Sequence, residues 1–173
     1  MEMLIKTFNM SKVNKAGGRF DVEKVKWFNH YYINKTNNSV LANTLTSNIE
    51  EIKKTNQAYV ARVIGLVKER AELTTDLWRL SSYFFKAPQD YCPKGIKKAW
   101  KNESEKALSA LAAALIDFNN SSAANLKKDF EVWIKKEGYG FGAVVMPLRL
   151  ALVGALEGVD VFEIVHCIGK LEA

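Results

Sequence analysis

Two histidines, two cysteines and an uneven spread of lysine and arginine are the residues of this chain whose types could carry chemistry. His30 stands beside Tyr31 and Tyr32, and His166 beside Cys167 on an apolar stretch. A nucleophilic triad needs three partners converging in space, and neither imidazole sits in a pattern that announces one, so both read as packed or surface residues. Cys92 and Cys167 lie far apart, with no CxxC or Cys/His spacing, and read as reduced thiols with no metal between them. Glu50-Glu51 before Lys53-Lys54 is ordinary helical charge pairing. No phosphate-cradling GxxxxGK[ST] or GxGxxG occurs. These residues offer no self-contained reaction centre.

The cations are more informative. The net charge is +6, and residues 1–100 hold 17 Lys/Arg against 9 Asp/Glu while the remainder holds 8 against 10. A polyanion partner fits that asymmetry, because phosphate contacts supply most sequence-independent nucleic-acid affinity. A solvated basic surface fits it equally. Lys12, Lys15, Arg19, Lys24 and Lys26 form the densest group, with Trp27 following. As a group, and not singly, they are the candidates to hold the phosphates of such a polyanion.

The elements that must position these residues are helical. With 48% hydrophobic residues, three prolines and ten glycines, the chain can bury a core and favours long helices. The spacing predicts a short helix over Glu2–Phe8, a basic loop ending in Ala16-Gly17-Gly18, and a helix opened by Asp21 as N-cap that runs to Asn34. Its apolar face is expected to bury Val22, Val25, Phe28 or Asn29, and Tyr32. Further helices are expected from Val40 to Lys54, from Asn56 to Arg70, and after a cap at Thr74 or Thr75 with Leu77, Leu80, Phe84 and Trp78 inward. The segment Lys86–Pro93 is the expected boundary, giving two packed bundles, 1–88 and 89–173. Beyond it the pattern predicts helices at Ile96–Asn102, Glu103–Phe118, Ala123–Lys136, Ala143–Leu156 (interrupted by Pro147) and Val161–Gly169. Trp78, Trp100 and Trp133 fall at apolar helical positions and are expected in the core. The fold class is all-α. No apolar run approaches the roughly 20 residues of a membrane span, and Met1–Met10 carries no signal-peptide pattern, so a cytoplasmic protein is expected.

Two stretches resemble a known family. Phe20-Asp21-Val22-Glu23-Lys24-Val25-Lys26-Trp27-Phe28-Asn29 resembles the Phe-Asp-x-x-Lys-Leu-x-Trp-x-Asn signature of bacterial glutamyl-tRNA synthetases. Met146-Pro147-Leu148-Arg149-Leu150-Ala151-Leu152-Val153-Gly154, with Val161-Phe162-Glu163-Ile164 and Ile168-Gly169-Lys170 after it, is similar to that family's Pro-Leu-Arg-x-Ala-Leu-Thr-Gly segment and its ending. Leu66–Arg70 and Tyr83-Phe84-Phe85 are similar to the helices between. The resemblance runs along nearly the whole chain in order, and covers only the anticodon-binding region. Asn9-Met10-Ser11-Lys12 is similar to the Lys-Met-Ser-Lys loop of class I synthetases, but its first lysine is Asn9 and no His-Ile-Gly-His-like element lies upstream. It is not taken as an ATP site.

The resemblance implies a piece of a longer ligase whose catalytic domain lies outside this chain. The parent would join glutamate to tRNA(Glu) with ATP and Mg; this piece alone would be inactive, need no cofactor and act as a monomer, with that tRNA and its own catalytic domain as partners. It further implies that Arg70 approaches the third anticodon base, that Arg149 lies near the first, and that the loop holding Gly158, Val159 and Val161 lies against the anticodon. A guanidinium suits this, since its planar fork of donors matches base acceptors and can also stack. Arg70 as a helix C-terminal cap and Arg149 in a salt bridge are the plainer alternatives. Relatives often carry proline where Val159 stands, and threonine where Val153 stands. Rival readings are a helical protein-binding scaffold with Trp-rich grooves and a small helical DNA-binding protein.

Overall fold

The computed structural model describes residues 2–12 and 20–169, with Leu4 by its backbone alone, and the described residues contain helices and no strand. Ten α-helices follow in order: α1 Glu2–Thr7, α2 Val22–Lys35, α3 Asn38–Asn48, α4 Gln57–Val67, α5 Asp76–Ser81, α6 Pro93–Ala99, α7 Ser104–Leu115, α8 Ala123–Glu137, α9 Phe141–Val153 and α10 Val161–Ile168. Short 3-10 turns cover Met10–Lys12, Glu50–Ile52, Lys68–Arg70 and Ser82–Phe84. The Ala16-Gly17-Gly18 loop expected from the sequence lies outside the described residues.

Side-chain caps start most of the longer helices. Asp21 accepts from the Lys24 N–H at 3.1 Å, Asn37 from Ser39, Asn56 from Ala58, Ser122 from Asn125 and Asp160 from Phe162. Pro93 begins α6, where its missing N–H costs nothing. At the other end, α8 and α9 stop at Gly138 and Gly154 in left-handed backbone.

The third helix ends six residues before the expected Lys54. Thr44, Thr46, Ser47 and Asn48 each turn a side chain back onto the carbonyl four residues earlier, which loosens the helix's hold on its own backbone. Ile49 is then extended, and a separate turn carries Ile52 into the core.

A larger correction concerns α2. Val22, Val25, Phe28 and Tyr32, expected inside, are exposed, and Ile33 is the helix's buried residue. Polar groups fasten the helix instead. His30 Nδ1 lies 3.0 Å from the Ala71 carbonyl, and Lys68 Nζ donates to the carbonyls of Asn34 and Thr36. Periodicity identified the apolar face correctly; nothing among the described residues covers it.

In the first half, α3 packs along α4, and α4 along α5. In the second, α6 and α7 lie on α9, and α10 packs on α8 and α9. Buried Phe130 and Phe162 meet edge-on at 5.1 Å, and the exposed Phe141 lies against both at 5.6 and 6.5 Å. The chain between Phe84 and Pro93, where the sequence suggested a boundary, is non-helical. Buried residues from both halves nevertheless form one contiguous cluster, from Ile33 through Val165. The Tyr59 hydroxyl donates to the Phe84 carbonyl at 2.8 Å, and α10 rests against the Ser82–Phe84 turn.

Candidate nucleic-acid interface

Helix α9 is apolar, and Arg149 is its one charged residue. Leu148, Leu150 and Leu152 are buried around it, so the guanidinium must leave along a half-buried path. It reaches the loop after α9, where Nη1 donates to the Val159 carbonyl at 2.7 Å. A contact this short from a charged donor is among the stronger kinds of hydrogen bond.

That loop is held from the other half as well. The Val159 N–H points to the Tyr83 hydroxyl at 3.5 Å, the outer limit of a hydrogen bond. Gly158 sits at φ +142°, a backbone that side chains rarely adopt, so glycine is needed for the turn itself; a Cβ there would make only ordinary contacts, the nearest with the Tyr83 oxygen at 3.4 Å. Tyr83 is half-buried on the Ser82–Phe84 turn, with its ring stacked on Phe84 at 4.8 Å. Burial pushes its phenol upward. The Val159 N–H and the positive charges of Arg70 and Arg149 pull the other way.

Arg70 and Arg149 thus act on the same phenol from the two halves of the chain. Arg70 is exposed, and its Nη1 lies 3.5 Å from the Leu66 carbonyl, again at the edge of a hydrogen bond. This is the helix-capping contact of the plainer alternative, in a weak form. Arg149 is committed to the loop rather than to a salt bridge.

The remaining predicted site residues fall less simply. Val159 and Val161 are 4% and 1% exposed, so their side chains belong to the core and only backbone there could meet a ligand. Lys15 and Arg19 lie outside the described residues. Lys12 and Lys24 are exposed. Lys26 pairs with Glu23 at 3.2 Å and with Glu72 at 3.6 Å, and Glu23 foremost raises its ammonium pKa. It clips α2 to the segment after Arg70. Trp78 and Trp133 pack against the core as expected, but Trp100 is 42% exposed, because it follows the end of α6 and lies on the flank of that helix.

Tyr83 is the residue that sequence reasoning missed. An aromatic body with a polar tip is a signal of a half-wet junction, but nothing local in Tyr83-Phe84-Phe85 separates it from its neighbours. A second junction was also hidden. Tyr59, Arg62 and Cys167 meet between α4 and α10; burial, then Cys167, raises the Tyr59 phenol pKa, and burial raises the Cys167 thiol against the pull of Arg62. Among the described residues no group of three or more His, Cys, Asp or Glu could hold a metal ion, and no helix is long and apolar enough to cross a membrane. The Asn9–Lys12 turn does not fit ATP phosphates. Its Asn9 Oδ1 accepts from both the N–H and the hydroxyl of Ser11, so the donors a phosphate would need are turned inward.

Comparison with known proteins gives a consistent picture. The family model described as the anticodon binding domain matches residues 23–173. The glutamate–tRNA ligase of Christiangramia forsetii is 39% identical over 171 residues, covering 98% of this chain and 34% of its own. That of Flavobacterium johnsoniae is 39% identical over 173 residues, covering 99% and 34%. Among solved structures, a glutamate tRNA ligase from Elizabethkingia meningosepticum in complex with its amino acid superposes with a TM-score of 0.83 at 34% identity, covering 99% of this chain and 34% of that one. The glutamate-tRNA synthetase of Elizabethkingia anophelis gives 0.78 at 32%. The chain spans 34% of the length of these relatives.

Proposed function

Because this chain belongs to the anticodon-binding domain family, we propose that it holds the anticodon of tRNA(Glu) for a glutamate–tRNA ligase. The tRNA would be glutamylated with ATP and Mg by a catalytic domain of the same parent chain. No residue here supplies that step. The piece works as part of a monomer in the cytoplasm, and its task is to fix where one end of the tRNA lies.

The observation that carries this reading is the bond from Arg149 to Val159, which sets a half-buried guanidinium beside the tightly turned Gly158–Val159 backbone and the Tyr83 hydroxyl, with Arg70 exposed in the other half. Arg149, bonded to the loop, and the tightly turned Gly158–Val159 backbone present groups of fixed direction with little freedom left to lose on binding, while Arg70 stays free to turn onto a ligand. Unpaired RNA bases splayed from a loop are read by such groups, through stacking and edge hydrogen bonds. Arg70, exposed and weakly tied, is the reader that touches a base. Arg149 fixes the loop and presents its remaining donors beside it. Lys12, Lys15, Arg19 and Lys24 hold phosphates, which positions the RNA without reading it. The uncovered aromatic face of α2 supports contact with the rest of the parent chain.

Binding titrations test this directly. The chain is titrated with tRNA(Glu) and with a transcript whose anticodon bases are replaced, each at two salt concentrations. Tighter binding of the natural transcript, with affinity falling as salt rises, is expected. Equal affinity for both transcripts sinks the anticodon reading.

A further inference from the structure

Helix α2 and the turn that carries Arg70 hold each other by polar bonds. Ile33 is the one buried residue of the helix, so apolar packing contributes little to its place. His30 and Lys68 supply what burial does not. The Ala71 carbonyl can only accept, so the half-buried His30 must carry its proton on Nδ1 to donate there at 3.0 Å. That leaves Nε2 as an acceptor, and the Asn34 amide nitrogen stands 3.2 Å from it. From the turn, Lys68 Nζ reaches back 3.2 Å to the Asn34 carbonyl and 3.4 Å to that of Thr36. These carbonyls lie at the end of α2, beyond the helix's own hydrogen bonds, where a cation is favoured.

Arg70 lies between these two ties. Lys68 precedes it by two residues and Ala71 follows it directly, and both bonds run to α2 rather than to α3, α4 or α5. Ala71 is 0% exposed, so loss of the His30 donor would leave a buried carbonyl short of its bond. Further on, Asp76 accepts from the Glu72 and Leu73 N–H groups at 3.1 and 2.9 Å and fixes the chain after the turn. The Lys26–Glu72 pair, 3.6 Å apart and facing solvent, adds little. The Arg70 guanidinium has only its edge contact with the Leu66 carbonyl, so it takes its direction from the backbone of the turn. A planar fork of donors meets a base edge only when the directions match, and a small displacement of its support spoils the fit.

We propose that His30 and Lys68 are positioning residues for Arg70: from either side they fix the turn from which its guanidinium projects, and anticodon discrimination depends on them although neither touches the RNA. This rests on the reading of Arg70 as the residue that touches a base. It sets Lys68 apart from the phosphate-holding cations, since both its bonds go to protein carbonyls. It also gives a use to an imidazole that no catalytic pattern claims.

Discrimination, the ratio of affinities for natural and anticodon-replaced tRNA(Glu), is measured on variants whose helical circular dichroism and urea midpoint show them folded. His30→Leu and Lys68→Met should each lower the ratio about fivefold, near the lower end of what one bidentate base contact supplies. The loss should fall on the natural transcript. His30→Asn, whose amide nitrogen stands where Nδ1 stood, and Lys68→Arg, which keeps a cationic donor, should restore most of it. In an Arg70→Ala background, His30→Leu and Lys68→Met should change the ratio no further, because nothing is left to position. Parent-like discrimination by either folded variant overturns the proposal. So does a fall that persists without Arg70, which would make these residues readers themselves, or an equal loss for both transcripts, which would make Lys68 a holder of phosphate. The two readings fail separately. If Arg70→Ala loses discrimination while His30→Leu and Lys68→Met keep it, the positioning role alone fails; if Arg70→Ala keeps it, or the parent shows none, the reading of Arg70 fails and the positioning role with it.

Discussion

Arg149 donates from Nη1 to the carbonyl of Val159 at 2.7 Å, so the residue expected to read a base also holds the loop beside it. Arg149→Ala should therefore lose about 1.5–3 kcal/mol of stability, the range for a hydrogen bond from a charged donor. The same change should narrow the difference in affinity between tRNA(Glu) and anticodon-replaced transcripts. Arg149→Lys should recover little of either, since an ammonium cannot reproduce the planar fork. Urea unfolding and tRNA titration, run on the same preparations, measure both effects.

Arg70 should behave differently. It is exposed and its contact with the Leu66 carbonyl is at the distance limit, so Arg70→Ala should shift stability by no more than about 0.5 kcal/mol. Its cost should appear in binding, on the order of 1–3 kcal/mol for the natural anticodon and less for replaced ones. An Arg70→Ala protein that unfolds like the parent and still discriminates like the parent would remove Arg70 from the site.

Gly154 tests the backbone that delivers the loop. It sits at φ +78°, and a Cβ there would come within 2.6 Å of the Asp90 carbonyl oxygen. Its own carbonyl accepts from the Cys92 N–H at 2.8 Å, joining the end of α9 to the start of α6. Left-handed backbone costs an alanine roughly 1–2 kcal/mol before any clash. Gly154→Ala should therefore destabilise by more than about 2 kcal/mol, read as a lowered urea midpoint.

Alkaline pH should loosen the junction between the halves. Burial pushes the phenols of Tyr59 and Tyr83 and the thiol of Cys167 upward. Each group holds its proton more tightly in the folded chain than in the unfolded one. The stability this contributes is complete below the unfolded values and is lost as pH rises towards the folded ones. Unfolding free energy should accordingly decline from about pH 9 upward. Tyr59→Phe should start lower, by about 1 kcal/mol for its lost bond to Phe84, but fall less steeply. Parallel slopes for the two proteins would show that Tyr59 is not a source of the decline.

Much of the architecture was legible because its signals are local. Asp21, Asn56 and the apolar run after it announce helix starts through side-chain oxygens next to periodic hydrophobics, and Lys86–Pro93 announces a break through its prolines. What was hidden depends on partners distant in sequence. The α2 pattern says which face is apolar and nothing about what meets it. Trp100 looks like a core residue until α9 is seen to bury Gly95 and Ala99 instead. Arg70 and Arg149 were named through family resemblance, and Tyr83, beside the loop that Arg149 holds, emerges only when the Ser82–Phe84 turn is set against the loop before α10.

The bare face of α2 also governs how the chain behaves in bulk. Trp27 stacks on Tyr31 at 5.8 Å, and Phe20, Trp27 and Tyr32 are 75%, 60% and 62% exposed, so several large rings on and just before α2 face water. At low ionic strength the net charge of +6 keeps copies apart. Salt shortens the reach of that repulsion to about 10 Å at 0.1 M and leaves the aromatic attraction intact. Added salt should therefore drive the second virial coefficient negative and bring on clouding, the opposite of the salting-in expected for a protein held in suspension by evenly mixed charges. These uncovered rings on and beside α2, more than the charge of the chain, would then set its colloidal limit.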